Sequence, residues 1–403
     1  MYGIRANLSI IIGCSQGVSG NARTFGPMRN LGVIGLLLLG ACPCWGQVAA
    51  TGPAVSIDSS LRAALLKGRL SLEGYVDVYY SYAFSHPVGG TRPYVVNYNR
   101  DNEINLDLAY ISLKYTTDRL RATFTPGYGT YMNANYAAER QTLQNILEAS
   151  VGVRLFKNKD IWLDGGVFSS PYTNESVYSF DQLTYTRSLG AENTPYYLTG
   201  AKLTVPFGPR WTGYFYLLNG WQVIESQHDP LDYGTQLEYK PGSAWDINFN
   251  TYIGNESSVD NPNYRTRYFA DLYATYTATD KWSFTADGYS GWQRRLEANV
   301  MQTRQWWNGN FCARYTFAPG NSISARVEYF DDAYEVLAKP VTNVSGFKLG
   351  GGSLGYNLNI TNDAMLRLEG RYFRAGEDLY PLRNGTEVPN ELWLTAGLTA
   401  RLR

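Results

Sequence analysis

Residues 70–84, LSLEGYVDVYYSYAF, place Leu70, Leu72, Gly74, Val76, Val78, Tyr80, Tyr82 and Phe84 on one face and Ser71, Glu73, Asp77 and Ser81 on the other. A period of two residues predicts an extended strand with an apolar side and a polar side. The alternation outlasts the usual globular strand of about five or six residues and covers the roughly 9–11 tilted residues that cross a bilayer. It recurs to the end of the chain and is cleanest where Trp245, Ile247, Phe249, Thr251 and Ile253 oppose Asp246, Asn248, Asn250 and Tyr252. In all, about sixteen such segments are read, within a range of 14–18.

Within individual segments the pattern makes finer predictions. In residues 103–115, Ile104, Leu106 and Leu108 share one face but Ile111, Leu113 and Tyr115 the other, which predicts a β-bulge near Ala109. The third segment carries Leu120, Ala122, Phe124 and Tyr128 outward and Arg119, Arg121 and Thr123 inward. Leu147, Val151, Val153 and Leu155, then Leu163 and Val167, then Tyr197, Ala201 and Leu203 are placed on the apolar face of the next three. Segment eleven is read from Trp282 to Gly288 and segment twelve from Phe311 to Phe317.

The connections alternate as well. Tight turns (Thr116-Thr117-Asp118, Lys157-Asn158-Lys159, Gly208-Pro209, Pro241-Gly242, Thr279-Asp280, Pro319-Gly320, Asn362-Asp363) follow the even segments, and longer stretches follow the odd ones. An all-β, antiparallel, up-and-down transmembrane β-barrel has this layout, with short periplasmic turns, longer extracellular loops and, for an even strand count, both termini in the periplasm. Closure is required because an open edge would leave backbone N–H and C=O groups in lipid, at several kcal/mol each.

Composition agrees with a barrel: 15% aromatic residues including 33 Tyr, 40 Gly, and only 17% charged residues. The 35 basic and 35 acidic side chains balance, which argues against a nucleic-acid partner. A soluble β-rich protein is the competing reading of the same totals.

From Met28, a basic Arg29, an apolar run at residues 31–41 and small residues before Gln47 have the layout of a secretory signal peptide. The chain is therefore divided into residues 1–46 (upstream extension and signal, cleaved after Gly46), 47–67 (periplasmic linker) and 68–403 (barrel), with Met28 competing with Met1 as the start. Leu39-Gly40-Ala41-Cys42 also resembles a lipobox, which keeps a lipoprotein signal as an alternative. Cleavage at Gly46 leaves Cys312 alone, so no intrachain disulfide is expected. The only two histidines, His86 and His228, fall in loops, and neither a metal nor a cofactor is expected.

The run FDQLTYTRSLGAENTPYYLTGAKLT (180–204), with GYVDVYYSYAF (74–84), YNRDNEINLDLAYISLKYTTDRLRA (98–122), LNGWQ (218–222) and YGTQLEYKP (233–241), resembles the OmpL-like β-barrel porins of diderm bacteria. The resemblance covers residues 68–403. It implies an outer-membrane barrel that conducts solutes. One departure is the end, Leu402-Arg403, where outer-membrane proteins commonly carry an aromatic residue read by the barrel assembly machinery.

In a barrel of this size the lumen admits water, so selectivity must come from wall side chains and inward-folded loops. Loop 170–194 is the candidate constriction, with Glu175, Asp181, Arg187 and Glu192 set to create a transverse field. Alternation points Arg154, Arg314, Arg326, Glu328, Arg367, Glu369, Arg371 and Arg401 into the lumen, where each must be hydrated or paired. The function read from these features is passive diffusion of small hydrophilic solutes through a water-filled outer-membrane barrel. The alternatives are a non-conducting structural or adhesion barrel and, less favoured, a barrel enzyme: no HExxH occurs, and neither a GxSxG nucleophile elbow nor a Ser/His pairing near strand ends is read, so no catalytic residue is named. Lipids, solutes, the assembly machinery and a second copy of the chain are the expected partners.

Overall fold

The computed structural model describes residues 67–402 except Asp229. The signal, start-codon and lipobox readings, and all of the linker but Lys67, lie outside the described residues. Sixteen antiparallel strands close into one barrel: β1 (Leu70–Ala83), β2 (Ile104–Thr116), β3 (Leu120–Tyr128), β4 (Ile146–Phe156), β5 (Lys159–Ser169), β6 (Tyr197–Pro206), β7 (Trp211–Leu218), β8 (Asp232–Tyr239), β9 (Trp245–Asn255), β10 (Tyr264–Thr277), β11 (Trp282–Glu297), β12 (Val300–Ala318), β13 (Asn321–Asp332), β14 (Phe347–Thr361), β15 (Ala364–Ala375) and β16 (Asn390–Leu402). Each strand pairs with its sequence neighbours, and β1 closes on β16 with Gly74 opposite Leu402 and Ala83 opposite Trp393. A two-residue ribbon, Tyr380–Pro381 against Glu387–Val388, lies in the last long connection.

The alternation holds along the wall. On β1, Leu72, Val76 and Tyr80 are exposed, while Tyr75, Asp77, Tyr79 and Ser81 are buried. At the short-turn ends of β7–β12, outward rings stack across strands: Trp211 on Tyr239 and Trp245 on Tyr276, both with centroids 4.0 Å apart, and Trp282 beside Tyr315 at 4.6 Å. Such amphipathic rings sit at a membrane–water interface.

Three finer expectations are corrected. The phase slip in β2 falls at Asp107 rather than Ala109: Asp77 faces Leu108 and Val78 faces Leu106, leaving Asp107 as the extra residue. The bulge turns Leu108 inward, and both residues are buried.

Leu147, Val167 and Tyr197 do not meet lipid. Leu147 is itself a bulge residue, between the pairs Thr125–Glu148 and Pro126–Ile146. All three join one buried cluster with Tyr131, Met132 and Tyr136, the first two in the short helix α1 (Thr130–Asn135). Tyr136 stacks on Tyr197 at 4.2 Å.

The connection after β11 is not a long loop. Ala298 and Asn299, at φ 47° and 66°, form a two-residue hairpin turn of the kind that needs two left-handed residues. β11 and β12 run on far past Gly288 and Phe311 to reach it. Beyond the membrane both faces of a hairpin are wet, so the alternation that marks a spanning strand disappears. Here charge pairs carry the extension instead: Arg295 Nε lies 2.5 Å from Glu297 Oε1, and Arg304 pairs with the same carboxylate.

Candidate functional site: the lumen and the loop within it

The connection from β5 to β6, residues 170–196, folds into the barrel. It holds a single 3-10 turn, Ser179–Asp181, and a short helix α2 (Leu189–Glu192), whose N-cap Ser188 accepts a hydrogen bond at Oγ from Ala191 N at 3.2 Å. Most of the loop's backbone is irregular. Placed inside a barrel, its N–H and C=O groups lose water and must find protein partners.

The wall charges supply them. Glu369 of β15 accepts from Tyr185 N at 2.7 Å and from Thr186 N and Oγ1, both at 2.8 Å. Glu328 of β13 accepts from Leu189 N at 2.6 Å. Arg367 donates to Gln182 O and Thr184 O at 2.9 and 3.0 Å, and Arg314 to Leu183 O at 3.1 Å. Arg326 lies 3.2 Å from Glu328 and 3.4 Å from each of Glu175 and Glu369, and Arg371 lies 2.8 Å from Glu328.

Carboxylates therefore take the loop's N–H groups and guanidinium groups take its carbonyls. Arg326, Glu328, Arg367, Glu369 and Arg371 are all buried, so this half of the expected lumen wall is paired rather than hydrated. Arg314 is half-buried. Arg154 and Arg401 stay near water at the short-turn end, where Arg154 pairs with Asp160 at 3.4 Å and Arg401 with Asp181 at 3.2 Å.

The four loop residues expected to form a transverse field separate in the same way. Glu175 accepts from Ser188 N at 2.6 Å, and Arg187 donates to Tyr185 O and Val177 O at 2.7 and 2.8 Å. Both are buried inside the loop's own scaffold, because a chain segment with few regular hydrogen bonds needs ionic side chains to close its turns. Neither faces a passage. Asp181 is exposed and held by Arg401. Glu192 accepts from Val96 N at 2.7 Å and Asn97 Nδ2 at 3.0 Å, joining this loop to the first long connection. Burial pushes the Glu192 carboxyl up to about 7.

The loop's ionic anchors lie on β13 and β15, and it also touches β1, β2 and β16 through Tyr185, Tyr178 and Ser179. The inward charges from Glu73 at the short-turn end of β1 round to Lys202 of β6 keep more exposure. There Lys114 pairs with Glu73 at 2.7 Å and Arg121 Nε with Asp164 Oδ1 at 2.6 Å; Lys202 rests 4.8 Å from the Phe168 ring centroid. Lys114, Glu73 and Arg121 are each more than a third exposed, and Lys202 and Glu148 are half-buried. Alternation within their strands turns Arg121, Glu148 and Asp164 inward. Nothing in their own strands distinguished them from the charges that the loop covers.

At the long-loop end the lumen is filled by rings. Trp221 lies 4.9 Å from Tyr252, 5.0 Å from Phe269 and 5.6 Å from Tyr172, and Arg267 sits 5.0 Å above the Trp221 ring. Among the described residues, no three His, Cys, Asp or Glu side chains are placed to hold a metal.

Several solved structures share the architecture. The outer membrane channel DcaP of Acinetobacter baumannii superposes with a TM-score of 0.56 at 11% identity, over 82% of this chain and 96% of that one. The anion-selective porin from Comamonas acidovorans gives 0.53 at 11% identity over 83% and 99%, and in-vitro folded OmpT of Vibrio cholerae 0.52 at 10% over 83% and 97%. Comparison with curated protein sequences finds no match. The family model described as "Putative beta-barrel porin-2, OmpL-like" matches residues 69–402, the whole barrel, and the chain belongs to this family of outer-membrane β-barrel porins.

Proposed function

We propose that small hydrophilic solutes cross this barrel between loop 170–196 and the β2–β8 wall. The observation that carries the reading is the one-sided seating of the loop: its backbone and Glu175 engage the charges of β13 and β15 and its Tyr185 hydroxyl engages Asp77 of β1, while Lys114, Glu73, Arg121, Glu148 and Lys202 keep part of their surface exposed. Cations and anions facing each other across a narrow lumen set which solutes enter. These residues replace Glu175 and Arg187 as the selectivity set. The ring cluster around Trp221 is the barrier at the long-loop mouth, and the described arrangement is the closed one.

The short turns face the periplasm and the long loops the exterior, which puts both ends of the barrel chain in the periplasm. The barrel works without catalysis, as a conduit. Copies associate along the arc of β16 and β1–β4, whose exposed short-turn positions are Leu398, Leu402, Leu72, Leu113, Leu120 and Val153 rather than stacked rings. One of the similar folds, OmpT of Vibrio cholerae, is described in a trimer form.

Single-channel recording of the purified protein in a planar bilayer tests the proposal. Discrete steps whose ion preference shifts in Arg121→Ala and Lys202→Ala support it; a membrane that stays silent at every voltage overturns it in favour of a structural barrel.

A further inference from the structure

On the wall beneath the start of the loop, polar side chains of four adjacent strands gather in two neighbouring cross-strand rows. Asn250 of β9 stands opposite Asp271 of β10, and Asp287 of β11 stands opposite Asn310 of β12, next to Asn308. Asp271 and Asp287 are diagonal neighbours on the same face of β10 and β11, Asp271 standing opposite Tyr289 and Asp287 opposite Tyr273, and the charge of each acts on the other. All of these residues are at least nine-tenths buried.

Each carboxylate uses one oxygen conventionally. Asp271 Oδ2 accepts from Asn250 Nδ2 at 2.7 Å and Thr173 N at 2.9 Å; Asp287 Oδ2 accepts from Asn308 Nδ2 at 2.7 Å and Asn310 Nδ2 at 3.2 Å. The other oxygen of each, together with Asn250 Oδ1 and Asn308 Oδ1, is buried with no donor. Glu175, whose charge also acts on Asp287, is negative too and is already held by Arg326. Two adjoining buried anions without a cation are costly. One shared proton would neutralise half of the charge and leave the amide oxygens without partners.

We propose that Asp271 and Asp287, with the amide oxygens of Asn250 and Asn308, bind a hard divalent cation of the calcium class, pinning the root of loop 170–196 at Thr173 to the wall. Carboxylate and amide oxygens are the ligands such an ion takes, and its two charges match the two carboxylates. The site stands whether or not the barrel conducts.

The test is terbium luminescence of the purified barrel in detergent, sensitised by Tyr289 and Tyr273, the cross-strand partners of Asp271 and Asp287. Saturable emission displaced by calcium is expected, weakened at least about tenfold in Asp271→Asn/Asp287→Asn. Folding of that variant is followed by its heat-modifiable gel migration. Asn250→Asp adds a third carboxylate and should tighten binding, which keeps a readout if the double variant fails to fold. No saturable emission, titrations identical in all variants, or a double variant that is folded and as stable as the parent in the presence of calcium would each overturn the site.

Discussion

Tyr185 Oη donates to Asp77 Oδ1 at 2.8 Å, joining the loop inside the barrel to the first strand across more than a hundred residues. Asp77 is buried with no ion pair among the described residues and is instead ringed by hydroxyls: Thr399 at 3.1 Å on the same oxygen, Tyr98 at 2.9 Å and Ser179 at 2.7 Å on the other. A carboxylate satisfied by several hydroxyl donors can stay inside a dry contact. Gly397 of β16 makes room for the tyrosine, since a Cβ there would fall 1.8 Å from its Oη.

Removing that hydroxyl should loosen the loop without unfolding the barrel. Tyr185→Phe deletes one hydrogen bond to a charged group, worth about 1.5–3 kcal/mol, and Gly397→Ala should act similarly by displacing the ring. Both are expected to speed proteolysis at Arg187 while heat-modifiable gel migration stays normal. Equal cleavage rates in parent and variants would show that the contact does not hold the loop.

Arg326 is the larger anchor. Arg326→Ala strands Glu175, Glu328 and Glu369 together without their shared cation, and breaking a buried charge network from one side costs about 3–5 kcal/mol. A urea midpoint within error of the parent would contradict this. Arg401→Ala, which loses the exposed Asp181 and Asp363 pairs and the stack of its guanidinium on the Phe180 ring, should cost about 1–2 kcal/mol, less than Arg326→Ala.

Opening the long-loop mouth should raise conductance. Trp221→Ala removes the ring that contacts Tyr172, Tyr252 and Phe269 together, and longer open times or larger steps are expected in bilayer recordings. A variant with unchanged open probability and step size would place the barrier elsewhere.

The contact between loop 170–196 and the first long connection should weaken with rising pH. Glu192 has its carboxyl raised by burial to about 7, so its favourable contribution is complete below the ordinary carboxyl range and is lost as pH climbs through 7. Protection of the Val96 and Asn97 amides, taken as exchange relative to the intrinsic base-catalysed rate, should fall between pH 5 and 8 in the parent and stay flat in Glu192→Gln. A pH-independent parent would refute the assignment.

What the residue pattern alone determined was the barrel. Leu72, Val76 and Tyr80 against Asp77 and Ser81 state which side of a strand is dry, and turn chemistry after every second segment states where the chain reverses. Both are local properties, so they survive in one dimension. The hairpin at Ala298-Asn299 escaped the pattern because it stands clear of the membrane, where no face is dry and alternation carries no information.

Only the tertiary structure decided what the inward charges do. Arg326 and Arg121 both point inward from their strands, yet one is sealed under the loop and the other more than a third exposed. The difference is which wall the loop leans on, and that rests on contacts such as Tyr185 to Asp77 and Thr186 to Glu369, each between residues more than a hundred positions apart. Alternation orients a side chain relative to its own backbone. Whether water or a distant segment occupies the space it enters is fixed by closure of the barrel and by the need of a buried, irregular loop to satisfy every backbone polar group.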